Sequence, residues 1–399
     1  MAADPAKDPI VIVGMARTPM GSFQGTLAAV SAADLGATAI QGALARAGVG
    51  ADDVEEVIMG CVLQAGQGQA PARQASIGAG IPNTVGATTI NKMCGSGMKA
   101  TMFGHDLIDA GSADVVVTGG LESMTNAPYL LPKARGGFRM GHGEVKDHMF
   151  LDGLEDAYDR GTLMGVYAEN TAEKYQFTRK QQDEFSIRSL GRGKAANEDG
   201  SFKAEMVPVT VKTRKGETVV DRDEQPFSAS IEKIPTLRPA FKKDGTVTAA
   251  NSSSISDGAS ALVLMRRSQA EKRGLTPLAT IVAHATNAHA PEWFTTAPVG
   301  AITKVLDKAG WAKDEVDLWE INEAFAVVTM AAMKEHGLSA DEVNVHGGAC
   351  AMGHPIGSSG SRIITTLIGA LQKNDLKKGI ATLCIGGGEA TAIAIERAA

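Results

Sequence analysis

Cys94 is the first candidate for a nucleophile in this sequence. It lies in the window Ile-Asn-Lys-Met-Cys-Gly-Ser-Gly-Met-Lys at 90–99, where a predicted strand is followed by a predicted helix. The glycines allow the tight turn that exposes a side chain, and a helix N-terminus favours a thiolate and lowers its pKa below the usual value of about 8.5. The window fits a buried cysteine that acts as a small hydrophobic residue equally well.

His354 is a candidate base for this nucleophile. It lies in His-Gly-Gly-Ala-Cys-Ala-Met-Gly-His-Pro-Ile-Gly-Ser-Ser-Gly at 346–360, nearly the position in the second half of the chain that Cys94 occupies in the first. Two similar halves that face their strand ends towards one crevice would place a base beside a nucleophile. The alternative is an ordinary histidine in a turn.

Two further positions could take part in the same chemistry. Cys384 lies near the end of a predicted strand, before three glycines at 386–388, so it could transfer a proton while glycine amides bind an oxyanion. Asn322 follows the predicted strand at 316–321 and opens a predicted helix, where it could orient a water molecule or a carbonyl. The structural alternatives are a core cysteine and a helix N-cap.

The sequence predicts no metal site and no dinucleotide site. Cys350, His354 and His346 have loosely ligand-like spacing, but no second Cys/His pair completes a tetrahedral site. The Gly-Ser-Gly at 95–97 is too short for a dinucleotide fingerprint.

The elements that would position these residues occur twice. A strand at 10–14 and a helix from Ser31 to Gly48 correspond to a strand at 278–285 and a helix that ends at Gly310. Val54 and Val316 then follow at the same offset. Self-similarity over so long a separation indicates a duplicated α/β unit rather than a solenoid.

The duplication continues through the segments that carry the chemistry. The order strand, glycine-rich turn, helix and strand is predicted at 85–120 and again at 343–388, and closing strands are predicted at 259–264 and 390–396. A long polar segment interrupts the first copy, as active-site lids often do. We therefore predict an N-terminal half at 1–123 and 252–275, an inserted loop domain at 124–251, and a C-terminal half at 276–399.

Composition narrows the class of protein. A net charge of −6 argues against a nucleic-acid surface and favours small-molecule partners. No run reaches the roughly 18 apolar residues that would span a membrane. The four cysteines form no Cys-Xaa-Xaa-Cys pair, and the segment 1–9 resembles neither a secretory signal nor a transit peptide, so free thiols and a cytoplasmic location are predicted.

Together these windows resemble the thiolase family, in its short-chain biosynthetic acetyl-CoA acetyltransferase branch, over essentially the whole chain. The matching windows are Cys-Gly-Ser-Gly at 94–97, Gly-Gly-Leu-Glu-Ser-Met at 119–124, Asn-Glu-Ala-Phe-Ala at 322–326, Gly-His-Pro-Ile-Gly at 353–357 and Cys-Ile-Gly-Gly-Gly at 384–388. The resemblance implies duplicated α/β halves in a layered α-β-α-β-α core with an inserted loop domain.

The resemblance also implies a reaction, the Claisen condensation of two acetyl-CoA molecules and its reversal. Cys94, activated by His354, would carry the acetyl group, and Cys384 would remove the α-proton of the second acetyl-CoA. One oxyanion hole would use His354 and a water held by Asn322, and the other the amides of Cys94 and Gly386. CoA thioesters are then substrates, and no cofactor is permanently bound.

By the same resemblance, the insertion holds the pantetheine arm of CoA. Ser253 matches the serine that meets the pantetheine amide, and Met164 and Phe325 match residues of the acyl pocket. Leu163 stands where many biosynthetic members carry a histidine, and Phe294 replaces a common methionine. These two departures bear on acyl-chain preference.

Other departures concern the surface. Glu389 stands where the family often has a neutral residue, and the loop around Pro226 lacks an arginine that some members use for the CoA nucleotide. The loop at 129–138 resembles one that pairs dimers into homotetramers. Candidate phosphate ligands, with a solvated hairpin face as the alternative, are Lys212, Arg214, Lys215 and Lys243.

Three other functions stay open at this point. A degradative 3-ketoacyl-CoA thiolase would have the same residues but take longer acyl chains. A non-catalytic acyl-CoA-binding member would not need all four of Cys94, Asn322, His354 and Cys384. A decarboxylative condensing enzyme usually pairs one cysteine with two histidines or with histidine and asparagine, so Cys384 argues against it.

Overall fold

Strands and helices alternate along the chain, which a computed structural model describes at residues 8–214 and 216–398. The segment 1–9, which is predicted to be neither a secretory signal nor a transit peptide, lies largely outside the described residues. The strands are β1 (Ile10–Arg17), β2 (Gly21–Ser22), β3 (Glu56–Gly60), β4 (Gly86–Ile90), β5 (Val115–Ser123), β6 (Tyr129–Leu130), β7 (Lys146–Asp147), β8 (Val209–Thr213), β9 (Gly216–Val220), β10 (Ser256–Arg266), β11 (Ala279–Ala288), β12 (Leu318–Ile321), β13 (Lys378–Ile385) and β14 (Glu389–Arg397). The α-helices are α1 (Ala32–Ala47), α2 (Pro71–Gly78), α3 (Ser96–Asp109), α4 (Met164–Tyr175), α5 (Arg179–Glu198), α6 (Gln225–Ser228), α7 (Arg267–Lys272), α8 (Ala297–Ala309), α9 (Ala326–His336), α10 (Ala349–Met352) and α11 (Ser359–Lys373).

The strand order repeats in the two halves of one central sheet. The first half runs β1-β10-β5-β3-β4 and the second runs β11-β14-β13-β12. In both halves the first two pairings are antiparallel and the third is parallel. The parallel step from β3 to β4 corresponds to a single bridge between Trp319 and Val343, so the strand predicted at 343 is reduced to that bridge. The predicted duplication is confirmed.

The two halves meet where β1 and β11 pair antiparallel, through Val11 with Thr280 and Ile12 with Ala279. The same helix ends also repeat. The hydroxyl of Ser31 caps α1 by accepting from the Asp34 amide at 3.1 Å. Both α1 and α8 end at a left-handed glycine, Gly48 with φ 68° and Gly310 with φ 67°.

Five layers result from this pairing. The helices α1 and α2 pack on the outer face of the first half, and α8 and α9 pack on that of the second. Between the halves lie α3 and α11, whose apolar side chains, such as Met98 and Ile364, share one core with both half-sheets. The layered α-β-α-β-α core is therefore confirmed.

The segment between β5 and β10 docks on this core through a buried ion pair network. The guanidinium of Arg17, in β1, donates to Glu205 at 2.5 Å and to Asp223 at 2.7 and 3.0 Å. All three side chains are completely buried. This contact fixes the segment that contributes α4 and α5 against the carboxyl-terminal end of the central strand β1.

Candidate active site

One cavity of about 380 Å³ collects most of the predicted site residues. It is lined by Cys94, Leu163, Met164, Ser253, Phe294, Phe325, His354 and Gly386, among others. Cys384 and Asn322 are buried instead, with 0% and 1% of their surface exposed. Both halves of the core and the segment 124–251 thus contribute to one space.

A strained turn presents Cys94 to this cavity. The turn joins β4 to α3, and Met93, directly before the cysteine, has φ 48°. A non-glycine residue in this left-handed region costs roughly 1–2 kcal/mol. The hydroxyl of Ser96 offsets part of this cost, because it donates to the Met93 carbonyl at 2.6 Å and accepts from the Lys92 amide at 2.8 Å.

Two glycines bring the nucleophile and the base together. A Cβ on Gly97 would lie 2.6 Å from Ser361 Oγ, and one on Gly360 would lie 2.4 Å from Met98 N. No side chain fits at either position, so the N-terminal ends of α3 and α11 can approach backbone to backbone. Cys94 lies two residues before α3 and His354 lies five residues before α11, and both line the same cavity.

Burial makes Cys94 a thiol in the free enzyme. Burial raises the pKa of Cys94 to about 11, although hydrogen bonds from the amides of Gly386 and of Cys94 itself lower it, and the carboxylate of Glu122 raises it further. The lowering predicted from the helix N-terminus alone is therefore wrong in direction. A thiol of this kind needs a base before it can attack.

His354 is neutral and offers a free nitrogen. Burial, and then the charge of Arg362, lowers the pKa of His354 to about 3. Ser359 Oγ donates its one proton to the Pro355 carbonyl at 2.9 Å, so it must accept from His354 Nδ1 at 2.5 Å. This assigns the proton to Nδ1. Nε2 then carries a lone pair, is buried, and has no partner among the described residues.

Asn322 also presents a free polar atom. Its backbone N–H donates to the Thr382 carbonyl at 3.0 Å, and its side-chain Oδ1 accepts from the Arg362 guanidinium at 3.4 Å. Its Nδ2 is buried without a partner in the described part of the chain. The N-cap alternative is wrong, because α9 begins only at Ala326 and its cap residue is Phe325.

Comparison with known proteins identifies the family. Residues 10–268 match the N-terminal domain of thiolases, and residues 275–397 match the C-terminal domain. The chain belongs to the thiolase family. A Chromobacterium violaceum protein named acetyl-CoA acetyltransferase is 50% identical, over 97% of this chain and 99% of its own length. Arabidopsis thaliana acetyl-CoA acetyltransferase 2 is 51% identical, over 97% and 96%, and the Schizosaccharomyces pombe acetyl-CoA acetyltransferase is 49% identical, over 97% and 98%.

In this thiolase, aromatic rings close one end of the cavity. Phe325 meets Phe241 and Phe294 edge to face, with ring centroids 5.9 and 6.4 Å apart, and Phe294 meets Tyr167 at 6.4 Å. Cys384 packs in the same cluster. Burial, and then the negative charge that Cys94 carries when it is deprotonated, raises the pKa of Cys384 well above its usual value.

Sequence reasoning missed three contributors to the thiolase site. Ser359 fixes the tautomer of His354, Phe241 supplies part of the aromatic wall, and Arg362 holds Asn322. No spacing or composition signal distinguishes these residues from ordinary helix and loop positions. Glu389, which stands where the family often has a neutral residue, forms an ion pair with Lys92 and so links the two halves.

Of the predicted phosphate ligands, the three that the structure describes, Lys212, Arg214 and Lys243, do not line this cavity. Lys212, in the exposed hairpin of β8 and β9, pairs with Glu217 at 3.2 Å, which favours the solvated-hairpin alternative for that residue. Lys215 lies outside the described residues. No helix in the described part of the thiolase is both long and apolar enough to cross a membrane.

Proposed function

We propose that this thiolase is an acetyl-CoA C-acetyltransferase, which condenses two acetyl-CoA molecules to acetoacetyl-CoA and CoA and catalyses the reverse thiolysis. The observation that carries the proposal is the unpaired Nε2 of His354 in the same cavity as the Cys94 thiol. The names of relatives that share about half of its residues support the same reaction.

In the first half-reaction, Nε2 of His354 takes the proton of Cys94. The sulfur attacks the thioester carbonyl of acetyl-CoA, the bond to the CoA sulfur breaks, and the protonated histidine returns the proton to the leaving CoA. Acetyl-Cys94 and CoA result. The free Nδ2 of Asn322 supports a role in holding a water near the reacting oxygen.

In the second half-reaction, Cys384 acts as the base. Its thiol proton first passes to Nε2 of His354, which is free again after the first half-reaction. The Cys384 thiolate then takes the α-proton of a second acetyl-CoA, and the enolate attacks acetyl-Cys94. The bond from the acetyl group to Cys94 breaks, and the released Cys94 thiolate takes the proton held by His354.

The covalent step can be tested by intact mass spectrometry after incubation with acetyl-CoA. We expect one acetyl group on the parent and on Cys384→Ala, and none on Cys94→Ser. The buried Cys350→Ser, which does not line the cavity, serves as a matched control that still acetylates. If the folded parent gained no acetyl group, the non-catalytic binding function would be favoured; if Cys384→Ala failed to acetylate, the division of labour would be wrong.

We further propose short-chain specificity, supported by the aromatic wall of Phe241, Phe294, Phe325 and Tyr167. Thiolysis rates with acetoacetyl-CoA and 3-ketohexanoyl-CoA test this proposal. A clear preference for the longer substrate would favour the degradative thiolase instead. We also propose that the pantetheine arm of CoA enters past the segment 124–251. The positions of Ser253 and Leu163 in the lining of the same cavity support this proposal. Met164 lies beside Gly386, which supports the proposal that Met164 belongs to the acyl pocket.

Domain organisation, assembly and location complete the proposal. We propose the three units predicted from the sequence, with boundaries at 123, 251 and 275. We also propose a homotetramer that uses the segment 129–138, where Tyr129 and Phe138 are 68% and 43% exposed, respectively. Light scattering after gel filtration of the parent and of Tyr129→Glu would detect the assembly. The four free cysteines support a cytoplasmic location, which fractionation of cells that express the tagged full chain would test.

A further inference from the structure

Two imidazoles and a carboxylate converge at a place remote from the acyl cavity. His105 and Asp106 lie towards the end of α3, and His284 lies on β11. His105 lies nine positions after Ser96 in the helix, so the cluster lies about 14 Å along the helix from the turn that holds Cys94. It therefore bridges the N-terminal and C-terminal halves independently of the proposed reaction.

The distances suit a small metal ion. Asp106 Oδ1 lies 2.9 Å from His284 Nε2 and 3.2 Å from His105 Nδ1. All three potential ligand atoms lie within 4.8 Å of one another, and the two rings meet edge to face with centroids 5.0 Å apart. In a tetrahedral site with metal–ligand distances of 2.0–2.2 Å, the ligand atoms stand about 3.4 Å apart. The two carboxylate–imidazole separations, 2.9 and 3.2 Å, lie close to this value.

We propose that His105, Asp106 and His284 form a binding site for zinc, with water as the remaining ligand. Two imidazole nitrogens and one carboxylate oxygen are a ligand set that zinc favours. Asp106 is about half exposed, with 54% of its side-chain surface accessible, which gives the ion an entry path and the water a place.

Nearby lysine ammonium groups should weaken the binding of zinc at this site. Lys308 donates to the His284 carbonyl at 3.0 Å, and its charge acts on both His284 and Lys99. These cations oppose the binding of a divalent ion. A site for zinc should therefore become tighter in Lys308→Met, whereas an Asp–His hydrogen-bond cluster without a metal has no such response.

The test is calorimetric titration of zinc chloride into the chelator-treated full chain. The Cys94→Ser background is used because the thiol and imidazole of the acyl cavity would also bind zinc. We expect one zinc ion per chain. His284→Ala should weaken the zinc affinity at least about 100-fold, more than the loss of a residue that only supports a ligand usually does. Asp106→Asn should also weaken the zinc affinity clearly. His142→Ala, an exposed histidine outside the cluster, should bind as the background does.

Cobalt(II) provides a second readout of the same site. Its visible spectrum should show tetrahedral coordination in the background protein and lose that band in His284→Ala. Asp106→Asn, which keeps the size and hydrogen-bonding ability of the side chain, covers the case in which His284→Ala fails to fold. Absence of zinc binding to the background, or binding that neither variant weakens, would overturn the proposal.

Discussion

Replacing Ser359 by Ala should slow the acylation of Cys94 without removing any group that reaches the substrate. Ser359 Oγ accepts from Nδ1 of His354 at 2.5 Å, which leaves Nε2 free to take the Cys94 proton. In Ser359→Ala the Nδ1–H loses its acceptor inside a buried site. The other tautomer, with its proton on Nε2, then gains population, and it cannot act as the base.

The size of this effect follows from the bond that is lost. A neutral hydrogen bond of this kind contributes about 0.5–1.5 kcal/mol. Since each 1.36 kcal/mol corresponds to a tenfold change in rate, we expect kcat/KM for acetoacetyl-CoA thiolysis to fall about 2- to 13-fold. The rate of Cys94 acetylation in a single turnover, followed by quenching and intact mass, should fall by the same factor.

Two variants separate this role from general damage to α11. Ser361→Ala removes a buried hydroxyl of the same helix that bonds to Ser260 Oγ at 2.6 Å and not to the histidine, so it should leave the acetylation rate unchanged. Ser359→Thr keeps the hydroxyl and should recover most of the rate. The reasoning is refuted if Ser359→Ala acetylates as fast as the parent, or if Ser361→Ala is slowed as much.

Three further predictions concern charge, pocket size and docking. Alkylation of Cys94 by iodoacetamide in the free enzyme should rise about tenfold per pH unit from pH 7 to 10, because its pKa is raised to about 11 and only the thiolate reacts; a plateau over that range would indicate a preformed ion pair with the histidine. Phe294→Leu should raise the ratio of kcat/KM for 3-ketohexanoyl-CoA to that for acetoacetyl-CoA about tenfold or more, and an unchanged ratio would show that Phe294 does not limit chain length. Asp223→Ala leaves the buried Arg17 undercompensated and should lower the free energy of unfolding in urea by about 3–5 kcal/mol; the exposed Asp221→Ala is the control, and equal stability of the two variants would contradict the docking role of the ion pair network.

The architecture was predictable because it depends on local signals that occur twice. Gly48 and Gly310 end corresponding helices in the left-handed conformation, which the sequence announces by glycine type and by matching offset. The alternation of apolar strands with amphipathic helices then predicts two α/β halves. What local signals could not give is the pairing of β1 with β11, since it joins strands that lie in different copies.

The sequence allowed us to predict residues that the structure brings to one cavity, but not the electrostatics of those residues. The helix N-terminus after Cys94 is visible in the sequence and favours a thiolate, but the degree of burial is not visible, and burial dominates the pKa. Likewise, Asn322 resembles an N-cap until the helix is seen to begin at Ala326. In both cases the local sequence pattern is typical of one role, and the surrounding structure determines another.

In the mechanism that we propose, one backbone amide serves the site in two states. In the free enzyme the Gly386 amide donates to the Cys94 sulfur, and this bond partly offsets the raised pKa of the thiol. Once the sulfur carries an acetyl group, it has no negative charge to accept such a bond. The amide is then available to the thioester oxygen, on which charge develops when the enolate attacks. In a water-poor cavity this transfer needs no solvent reorganisation, so the surroundings that make Cys94 a poor thiolate strengthen the stabilisation of the second oxyanion.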